Sequence, residues 1–396
     1  MKIAHVITRL LRAGSEENTV ATCLGQIARG HDVTIVHGRD HDPTWRSDLP
    51  PAIKLVELEA MVHAISPARD ARAIADLRRL YRELGAEVVH THQSKAGILG
   101  RLAARGPDRP AVVHTVHIAP FVNVGAVQRL LYVAAETLCA RTTDVIVSVS
   151  EGMRQACLDH GVGTPEQHVV VRSGMPLAKF WKAAQAAPTS LSAPDWIGPQ
   201  PPILVLTLAA FEPRKRQEAF ITAMAPYLAA NPRLCLVFAG AGAREGDAKA
   251  LAQALGIAGQ TRFLGHHPRP EALIAEADIC VLTSEREGLP RVVVQYLAVG
   301  KPVVITHVPG IEEIVTHDRN GIVVGPNDLT GAARAVAVLA ASAEQLQRLT
   351  EGVRRFDSSP WDIEVMNEGL AEIYRVALIR SGRAAPDDVC AEAAAA

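Results

Sequence analysis

Residues 284–304 read SEREGLPRVVVQYLAVGKPVV, and this stretch decides the fold class. The apolar residues 279–282 before it predict a buried strand, and Pro302 opens a second apolar strand. Between the strands the pattern predicts a polar turn and a short helix, with Pro290 at the first helical position and Gly300 just after the last. A strand, a helix and a strand in this order are typical of a parallel α/β sheet.

The turn inside this stretch is the first candidate for a binding site. It places Glu287, Gly288, Leu289 and Pro290 directly after a strand and before the free amides of a helix N-terminus. Ligands of open α/β sheets bind at the carboxyl ends of the strands, and helix amides with the helix dipole favour a phosphate there. The sequence therefore predicts an anion-binding turn at this position.

Composition narrows the function classes. The 396 residues are enough for two domains with separate cores. Lys and Arg number 41 against 42 Asp and Glu, and this net charge of -1 argues against a nucleic-acid partner. The six cysteines are scattered without a Cys-x-x-Cys pair, which favours buried thiols in a reducing cytosol over a disulfide frame or a zinc site. The N-terminal residues predict a first strand rather than a signal peptide, and no apolar run reaches the roughly 18 residues of a membrane span.

Strand and helix patterns alternate along the chain, as in parallel βαβ units. They predict a first domain over 1–180 and a second over 203–360, joined by a linker at 181–202 that is rich in Ala, Pro, Ser and Gly. A terminal helix is predicted over 361–380, and the tail 381–396 is expected to be disordered because it has little to bury.

Local sequence signals predict where some helices begin and end. A helix is predicted over 67–84, because Pro67 suits its first position and Gly85 its end. Gly14 and Ser15 lie in the turn after the first strand; a lone glycine turn there is weak evidence for a binding site, and a simple helix start is equally compatible with the sequence.

Histidines are concentrated in two segments, HTHQSKAG at 90–97 and HTVH at 114–117. Such spacing can bind a metal, but no Asp or Glu lies beside these histidines. We therefore expect His90 and His114 to point into the core or to bond a backbone group. The D-x-D pair at 40–42 is more typical of solvated turn residues than of a metal site, so no metal is expected.

Three cations, Arg214, Lys215 and Arg216, follow a strand that is predicted over 203–208. A run of cations is commonly a solvated helix face. Its position at a strand end nevertheless favours Lys215, with Arg214 beside it, as a phosphate ligand.

Taken together, these motifs resemble the retaining, nucleotide-sugar-dependent glycosyltransferases of family four, also called group 1, and within them a bacterial branch that makes surface polysaccharides. The donor-site signature of that family is E-x7-E followed by a small-residue helix and GKPVV. Glu287 matches the first glutamate, whereas Gln295 replaces the second, which grips the ribose hydroxyls in the family. Ala13 and Ala210 also replace family residues. The resemblance covers residues 1–379, with the motifs in the family's order.

The resemblance implies the α/β GT-B fold, in which two Rossmann-like doubly wound domains face each other across a cleft and a C-terminal helix crosses back to the first domain. It implies that the second domain holds the donor, that the first holds the acceptor, and that a sugar moves to a hydroxyl with retention of anomeric configuration. The residues it implies are His117 and Glu287 for catalysis, Lys215, Arg214, Gly288, Leu289, Pro290 and Gln295 for donor binding, and Gly14 and Ser15 for the phosphate or acceptor loop.

The implied partners are a nucleotide-sugar donor, which is a substrate and not a cofactor, and a glycan or lipid-linked acceptor. A route to surface polysaccharide or glycolipid and a cytoplasmic location follow from the same resemblance. In relatives with lipid-linked acceptors the apolar helix at 127–141 lies near the membrane. Here we expect its leucines to make core contacts, with peripheral contact at the inner face of the cytoplasmic membrane as the alternative.

Two other functions stay open from the sequence. One is an isomerase of the UDP-sugar epimerase type, which shares the fold and handles the same diphosphate but lacks the E-x7-E helix. The other is a non-catalytic relative that binds a nucleotide sugar, which the changes at Ala13, Ala210 and Gln295 motivate.

Overall fold

The computed structural model describes residues 1–122, 124–185 and 200–383. The chain divides into two compact units, one formed by Met1–Met175 with the chain from Pro360 onward, and the other by Pro176–Ser359. Residues 186–199 of the predicted linker and residues 384–396 of the predicted tail lie outside the described residues.

The first unit is built on a seven-stranded parallel sheet. Its strands are β1 (Lys2–Ile7), β2 (Asp32–His37), β3 (Ile53–Glu57), β4 (Val88–His92), β5 (Ala111–Val116), β6 (Val145–Ser148) and β7 (His168–Val170). They lie in the order β3-β2-β1-β4-β5-β6-β7. Its helices are α1 (Gly14–Ala28), α2 (Trp45–Asp48), α3 (Pro67–Leu84), α4 (Ser94–Ala103), α5 (Ala126–Ala140) and α6 (Glu151–Asp159).

Helices cover both faces of this sheet, so its central strands are buried throughout, as parallel strands usually are. Every residue of β4 and β5 is buried. On one face, Val6, Val89 and Val112 pack against Leu77 of α3 and Leu99 of α4. The predicted bounds of α3 are confirmed: Pro67 begins the helix, and Gly85 follows it in the left-handed region with φ 58°.

The second unit is built on a six-stranded parallel sheet. Its helices are α7 (Ala178–Ala183), α8 (Gln217–Ala230), α9 (Glu245–Ala254), α10 (Pro270–Glu276), α11 (Arg291–Ala298), α12 (Leu329–Ala341) and α13 (Ala343–Val353). Its strands are β8 (Ile203–Leu208), β9 (Leu234–Ala239), β10 (Thr261–Phe263), β11 (Ile279–Leu282), β12 (Val303–Thr306) and β13 (Gly321–Val324). The strands lie in the order β10-β9-β8-β11-β12-β13.

The helix of the opening stretch, α11, differs from the prediction at its start. Pro290 has ψ 76° and precedes the first helical residue, Arg291, so its predicted place at the first helical position is wrong by one residue. The predicted end of α11 at Gly300 is confirmed. Gly300 has φ 90°, its N–H donates to Leu297, and the N–H of Lys301 donates to the carbonyl of Tyr296. These two bonds satisfy carbonyls that a helix end leaves without partners.

The last helix, α14 (Ile363–Arg380), packs on the sheet of the first unit although it follows the second unit in sequence. Its buried residues Met366, Leu370 and Ile373 contact Val88, Val113 and other residues of that sheet. Within the described residues, no helix is both long and apolar enough to cross a lipid bilayer.

Helix α5 does not bury its leucines, and the expectation of core contacts for them is wrong. Leu130 and Leu131 are 69% and 66% exposed, Val127 is 75% exposed and Leu138 is 47% exposed. The buried positions of the helix are Glu136, Cys139 and Ala140, all in its second half. An apolar stripe therefore lies on the surface of the first unit.

A buried ion pair anchors this helix instead. Glu136 Oε2 lies 2.5 Å from Arg101 Nη2 of α4, and both side chains are almost completely inaccessible. No local sequence pattern indicates this contact, because the two residues are separated by 35 positions.

Replacing Glu136 tests how much this pair contributes to folding. Glu136→Gln leaves the charge of Arg101 buried without compensation, and we expect the free energy of unfolding to fall by about 3–5 kcal/mol. In Arg101→Met/Glu136→Leu both charges are absent, and we expect most of that loss to be recovered. Urea unfolding monitored by circular dichroism measures both variants.

The control is the exposed pair of Lys54 and Asp32, whose side chains are 56% and 44% exposed. Lys54→Met should change the free energy of unfolding by less than about 1 kcal/mol. Equal losses in Glu136→Gln and Lys54→Met would contradict a structural role for the buried pair.

Candidate active site

The predicted anion-binding residues lie where the strand order of the second unit reverses. β8 and β11 are neighbours in the sheet, although β9 and β10 come between them in sequence. The connections that leave these two strands run in opposite directions, which opens a crevice at the carboxyl edge. Lys215 follows β8 and Glu287 follows β11, so both reach this edge.

Glu287 lies between two cations. Its Oε1 is 2.5 Å from Nζ of Lys215, and its Oε2 is 3.2 Å from Nη1 of Arg214. Burial alone raises the pKa of Glu287, but the charges of Lys215 and Arg214 outweigh burial, so the pKa lies below its ordinary value. The site therefore holds an ionised carboxylate with two positive groups around it.

Hydrogen bonds between two loops hold these three side chains together. The hydroxyl of Thr283 donates to the carbonyl of Lys215 at 3.0 Å, and the N–H of Glu285 donates to the carbonyl of Arg214 at 2.8 Å. Sequence reasoning missed Glu212, which accepts a 2.8 Å hydrogen bond from Nε of Arg214. The sequence does contain a signal for this contact, because Glu212 lies only two residues before Arg214.

The turn before α11 is built differently from the prediction. Gly288, Leu289 and Pro290 are buried, as a turn close to the site requires. The first helical amides are not all free: the N–H of Arg291 donates to Leu289, and the N–H of Val293 donates to Pro290, both at 2.8 Å. The tight turn thus brings the carbonyls of Leu289 and Pro290 within hydrogen-bond distance of these N–H groups. Lys215 and Arg214 are therefore the principal positive groups of the site.

Gln295 is the fifth residue of α11, eight positions after Glu287, and is partly exposed. The next residue, Tyr296, is buried, and its hydroxyl accepts a 2.8 Å hydrogen bond from the N–H of Leu208 at the end of β8. This contact fixes α11 against the strand that leads to Lys215. Ala210 offers no side chain to the site, and its carbonyl accepts a 2.8 Å bond from Nε2 of Gln217.

The first unit has a corresponding edge between β1 and β4, where its strand order also reverses. Gly14 and Ser15 begin α1 after β1, and Gln93 follows β4. Nε2 of Gln93 lies 3.3 Å from Oγ of Ser15 and 3.1 Å from Oε1 of Glu16. Burial raises the pKa of Glu16. Glu16 and Gln93 are polar residues at this edge that sequence reasoning missed.

Gln93 is also strained, with φ 61° and ψ 169°. Residues other than glycine adopt such backbone angles at a cost of about 1–3 kcal/mol, and they cluster at functional sites. The sequence carries no signal for this strain, because nothing in the segment HTHQS distinguishes Gln93 from an ordinary turn residue.

His117 follows β5 and is buried, with 8% exposure. It lines a small pocket that also includes Gln93, Ser94 and Phe121. Its Nε2 lies 3.1 Å from Nδ1 of His92. The sequence-predicted residues of the first unit, Gly14, Ser15 and His117, thus follow the carboxyl ends of β1 and β5, on either side of β4.

The other histidines are buried as well. His114 bonds the hydroxyl and the backbone carbonyl of Thr91, at 2.9 and 3.2 Å. His5, His90 and His92 lie close enough together to hold a metal ion, with ligand atoms within 4.8 Å of one another. Outside this cluster, Asp42 of the D-x-D pair accepts a 2.9 Å hydrogen bond from the N–H of Thr44, as expected of a turn residue.

Two family models match the chain, one in each unit. Residues 13–174 match the glycosyl transferase 4-like domain, and residues 195–356 match glycosyl transferases group 1. A UDP-Gal:alpha-D-GlcNAc-diphosphoundecaprenol alpha-1,3-galactosyltransferase of Escherichia coli is 24% identical over 286 residues, which cover 71% of this chain and 73% of that protein. The putative glycosyltransferase EpsD of Bacillus subtilis is 29% identical over 294 residues, which cover 73% of this chain and 76% of that protein.

A similar solved structure is that of Anabaena HepE in complex with UDP-glucose. It matches with a TM-score of 0.73 at 20% identity and covers 94% of this chain and 99% of that chain. The fold agrees with the two parallel sheets described above, and the matched families span both of them. The chain therefore belongs to the group 1 glycosyltransferases of family four, which are retaining enzymes with the GT-B fold that take the sugar from a nucleotide sugar.

Proposed function

We propose that this enzyme transfers a sugar from a UDP-sugar to a hydroxyl of a lipid-linked glycan in the synthesis of bacterial surface polysaccharide. The observation that carries the donor half of the proposal is the cluster of Lys215, Arg214 and Glu287 at the reversal point of the second sheet. The choice of uracil as the base is supported by the Escherichia coli relative, which uses UDP-Gal, and by HepE, which binds UDP-glucose.

The three side chains have complementary tasks in this proposal. A departing diphosphate carries negative charge, and Lys215 with Arg214 would stabilise that charge as the sugar leaves. Glu287 is ionised and can only accept hydrogen bonds, so it would accept them from hydroxyls of the donor sugar. On the first unit, His117 would contact the sugar that is transferred. Gly14 and Ser15 would form the phosphate or acceptor loop.

Helix α5 supports the acceptor part of the proposal. Its exposed apolar stripe, formed by Val127, Leu130, Leu131 and Leu138, suits an interfacial helix better than an aqueous surface. Arg129, on the same helix, is exposed and can approach anionic lipid headgroups. The Escherichia coli relative acts on a diphosphoundecaprenol-linked sugar, and this also supports a lipid-linked acceptor.

We infer a cytoplasmic location at the membrane surface. This location is compatible with the free, buried cysteines of the described residues, which are Cys23, Cys139, Cys157, Cys235 and Cys280.

UDP binding tests the donor site directly. UDP is expected to raise the melting temperature, and at one hundred times its Kd the stabilisation would be about 2.7 kcal/mol. Lys215→Met should weaken UDP binding about tenfold or more, because a charge-assisted bond to phosphate is lost. Glu287→Gln should keep UDP binding but slow UDP release from UDP-galactose or UDP-glucose by about a hundredfold. Calorimetry and a coupled UDP assay provide the two readouts.

The matched control is Lys249→Met, because Lys249 pairs with Glu245 on α9 and its side chain is half exposed. This variant should bind and turn over UDP-sugars normally. Stabilisation by GDP and not by UDP would refute the choice of base. Near-normal turnover in both Lys215→Met and Glu287→Gln would refute the residue assignment.

Gln295→Glu restores the charge of the family signature. A carboxylate accepts stronger hydrogen bonds from the two ribose hydroxyls than an amide does, so this variant should bind UDP as tightly as the parent enzyme or up to about tenfold more tightly. Gln295→Leu, which removes the acceptor, should bind more weakly. Titration calorimetry with UDP measures both. Weaker binding in Gln295→Glu would place the ribose elsewhere.

Vesicle binding tests the acceptor side. The enzyme is expected to co-sediment with vesicles of phosphatidylglycerol and phosphatidylethanolamine. In Leu130→Glu/Leu131→Glu the bound fraction should fall about tenfold or more, because each leucine that enters lipid contributes about 1.5 kcal/mol or more.

The control for this experiment is Val338→Glu, on α12 of the second unit, where Val338 is 46% exposed. It should bind vesicles and UDP as the parent enzyme does. If the leucine variant sediments with vesicles as fully as the parent does, then α5 is not the membrane-binding surface.

A further inference from the structure

The loops that follow the first four strands are joined to one another at the carboxyl edge of the first sheet. The N–H of Leu10, after β1, donates to the carbonyl of Asp40, after β2, at 3.0 Å. The N–H of Ala96, after β4, donates to the hydroxyl of Thr8, after β1, at 3.0 Å. Side chains of these loops therefore share one surface at this edge.

Lys95 ties the loop after β3 to the same surface. Its Nζ donates to the carbonyl of Ala64 in that loop and lies 2.7 Å from Oδ1 of Asp70 on α3. The side chain of Lys95 is only 14% exposed. The ammonium group is therefore held in one place, and Asp70 offsets its charge.

Arg9 is the cation of this edge whose charge is not offset by a contact. It follows β1 and is partly exposed, yet its Nε is buried and has no hydrogen-bond partner among the described residues. Arg12, three positions further on, lies over the ring of Trp45 and pairs with Asp48. A buried donor without an acceptor costs about 1–3 kcal/mol, so such a group commonly belongs to a site for an ion, a water molecule or a ligand.

The nearby carboxylate of Glu16 does not neutralise Arg9 by contact. Its Oε2 accepts a 2.6 Å hydrogen bond from the hydroxyl of Ser15, and its Oε1 accepts a 3.1 Å bond from Nε2 of Gln93. Burial raises the pKa of Glu16, and the charge of Arg9 opposes that rise only in part. The guanidinium of Arg9 is therefore available to another anion.

His63, in the loop after β3, lies within the electrostatic reach of Arg9 and Lys95. Burial lowers the pKa of His63, and the charges of Arg9 and Lys95 lower it further, while Asp40 raises it. Charges at a protein surface act on each other only over about 8–10 Å. Arg9, His63 and Lys95 therefore form one group of side chains that carries positive charge and hydrogen-bond donors.

We propose that Arg9, with His63 and Lys95 beside it, binds a phosphate group of the acceptor substrate. The guanidinium presents a planar fork that matches two phosphate oxygens, the imidazole of His63 offers one N–H, and Lys95 adds a fixed positive charge. The inference rests on the proposed function for the identity of this ligand. In a lipid-linked glycan, the phosphate bound here would be the diphosphate that joins the glycan to the lipid.

Geranyl diphosphate is the probe, because it carries a diphosphate on a short soluble isoprenoid. It is titrated calorimetrically into the full-length enzyme with saturating UDP, so that the site of Lys215 and Arg214 is already filled. Geranyl diphosphate should bind, and geraniol, which lacks the phosphates, should bind at least about tenfold more weakly. Arg9→Gln should weaken the binding of geranyl diphosphate about tenfold or more. Arg9→Lys keeps the charge but not the fork and should lie between the two.

A variant of opposite sign and a matched control accompany Arg9→Gln. Asp40→Asn removes the negative charge beside the group and should tighten the binding of geranyl diphosphate about twofold to threefold. Lys2→Gln makes the same change of charge at the exposed amino end of β1, the opposite edge of the sheet, and should leave binding unchanged. All four variants should bind UDP as the parent does.

Vesicle binding distinguishes an acceptor diphosphate from a lipid headgroup. Arg9→Gln should co-sediment with vesicles of phosphatidylglycerol and phosphatidylethanolamine as fully as the parent does. If its vesicle binding falls while its affinity for geranyl diphosphate stays at the parent value, then Arg9 contacts headgroups and the inference is wrong.

Two results of the titration would also overturn the inference. They are equal affinity of the parent and Arg9→Gln for geranyl diphosphate, and equal affinity of the parent for geraniol and geranyl diphosphate. If Arg9→Gln does not fold, unchanged binding in both Arg9→Lys and Asp40→Asn would have the same consequence. A parent enzyme that neither binds UDP nor releases it from a UDP-sugar would instead overturn the donor part of the proposed function. The two failures are distinguishable, because binding of geranyl diphosphate is measured without turnover.

Discussion

The second unit depends on the ion pairs that the buried carboxylate of Glu287 makes with Lys215 and Arg214. Removing an ionised group from water costs several kcal/mol or more, and only close positive partners offset that cost. Lys215 and Arg214 supply them from a different loop, so the carboxyl ends of β8 and β11 are held together by charge as well as by sheet bonds. In the proposed reaction a diphosphate offers the two cations a stronger partner. Glu287 is then available to hydroxyls, and the site needs little rearrangement.

Both units place polar side chains by the same topological rule. In each sheet the first strand lies in the middle, and the strand order reverses beside it. In β4 and β5 the first residues are apolar, as Val88 and Val112 are, and polar residues follow near the carboxyl ends, as His92 and Thr115 do. In these two strands the polar residues therefore lie toward the carboxyl edge of the sheet, which is where open α/β sheets bind ligands.

The sequence predicted those elements whose signals are local. The strands 203–208 and 279–282 and the helix 67–84 are confirmed to the residue, because apolar runs, Pro67 and Gly85 mark their ends. The exposure of Leu130 was mispredicted for a physical reason. Whether an apolar helix face is buried depends on what lies opposite, and α5 is anchored through Glu136 to a residue 35 positions away. The tight turn at Pro290 could not be predicted from the sequence either. It depends on which backbone carbonyls accept hydrogen bonds from the first N–H groups of the helix.

The histidines show most clearly where local reasoning ends. The spacing HTH fixes that His90 and His92 share one face of β4, since side chains alternate along a strand. It does not fix which residue lies opposite them. That follows from the parallel register of β1 and β4, which pairs His5 with His90 across 85 positions, and from α1, which brings Gln26 against the same face.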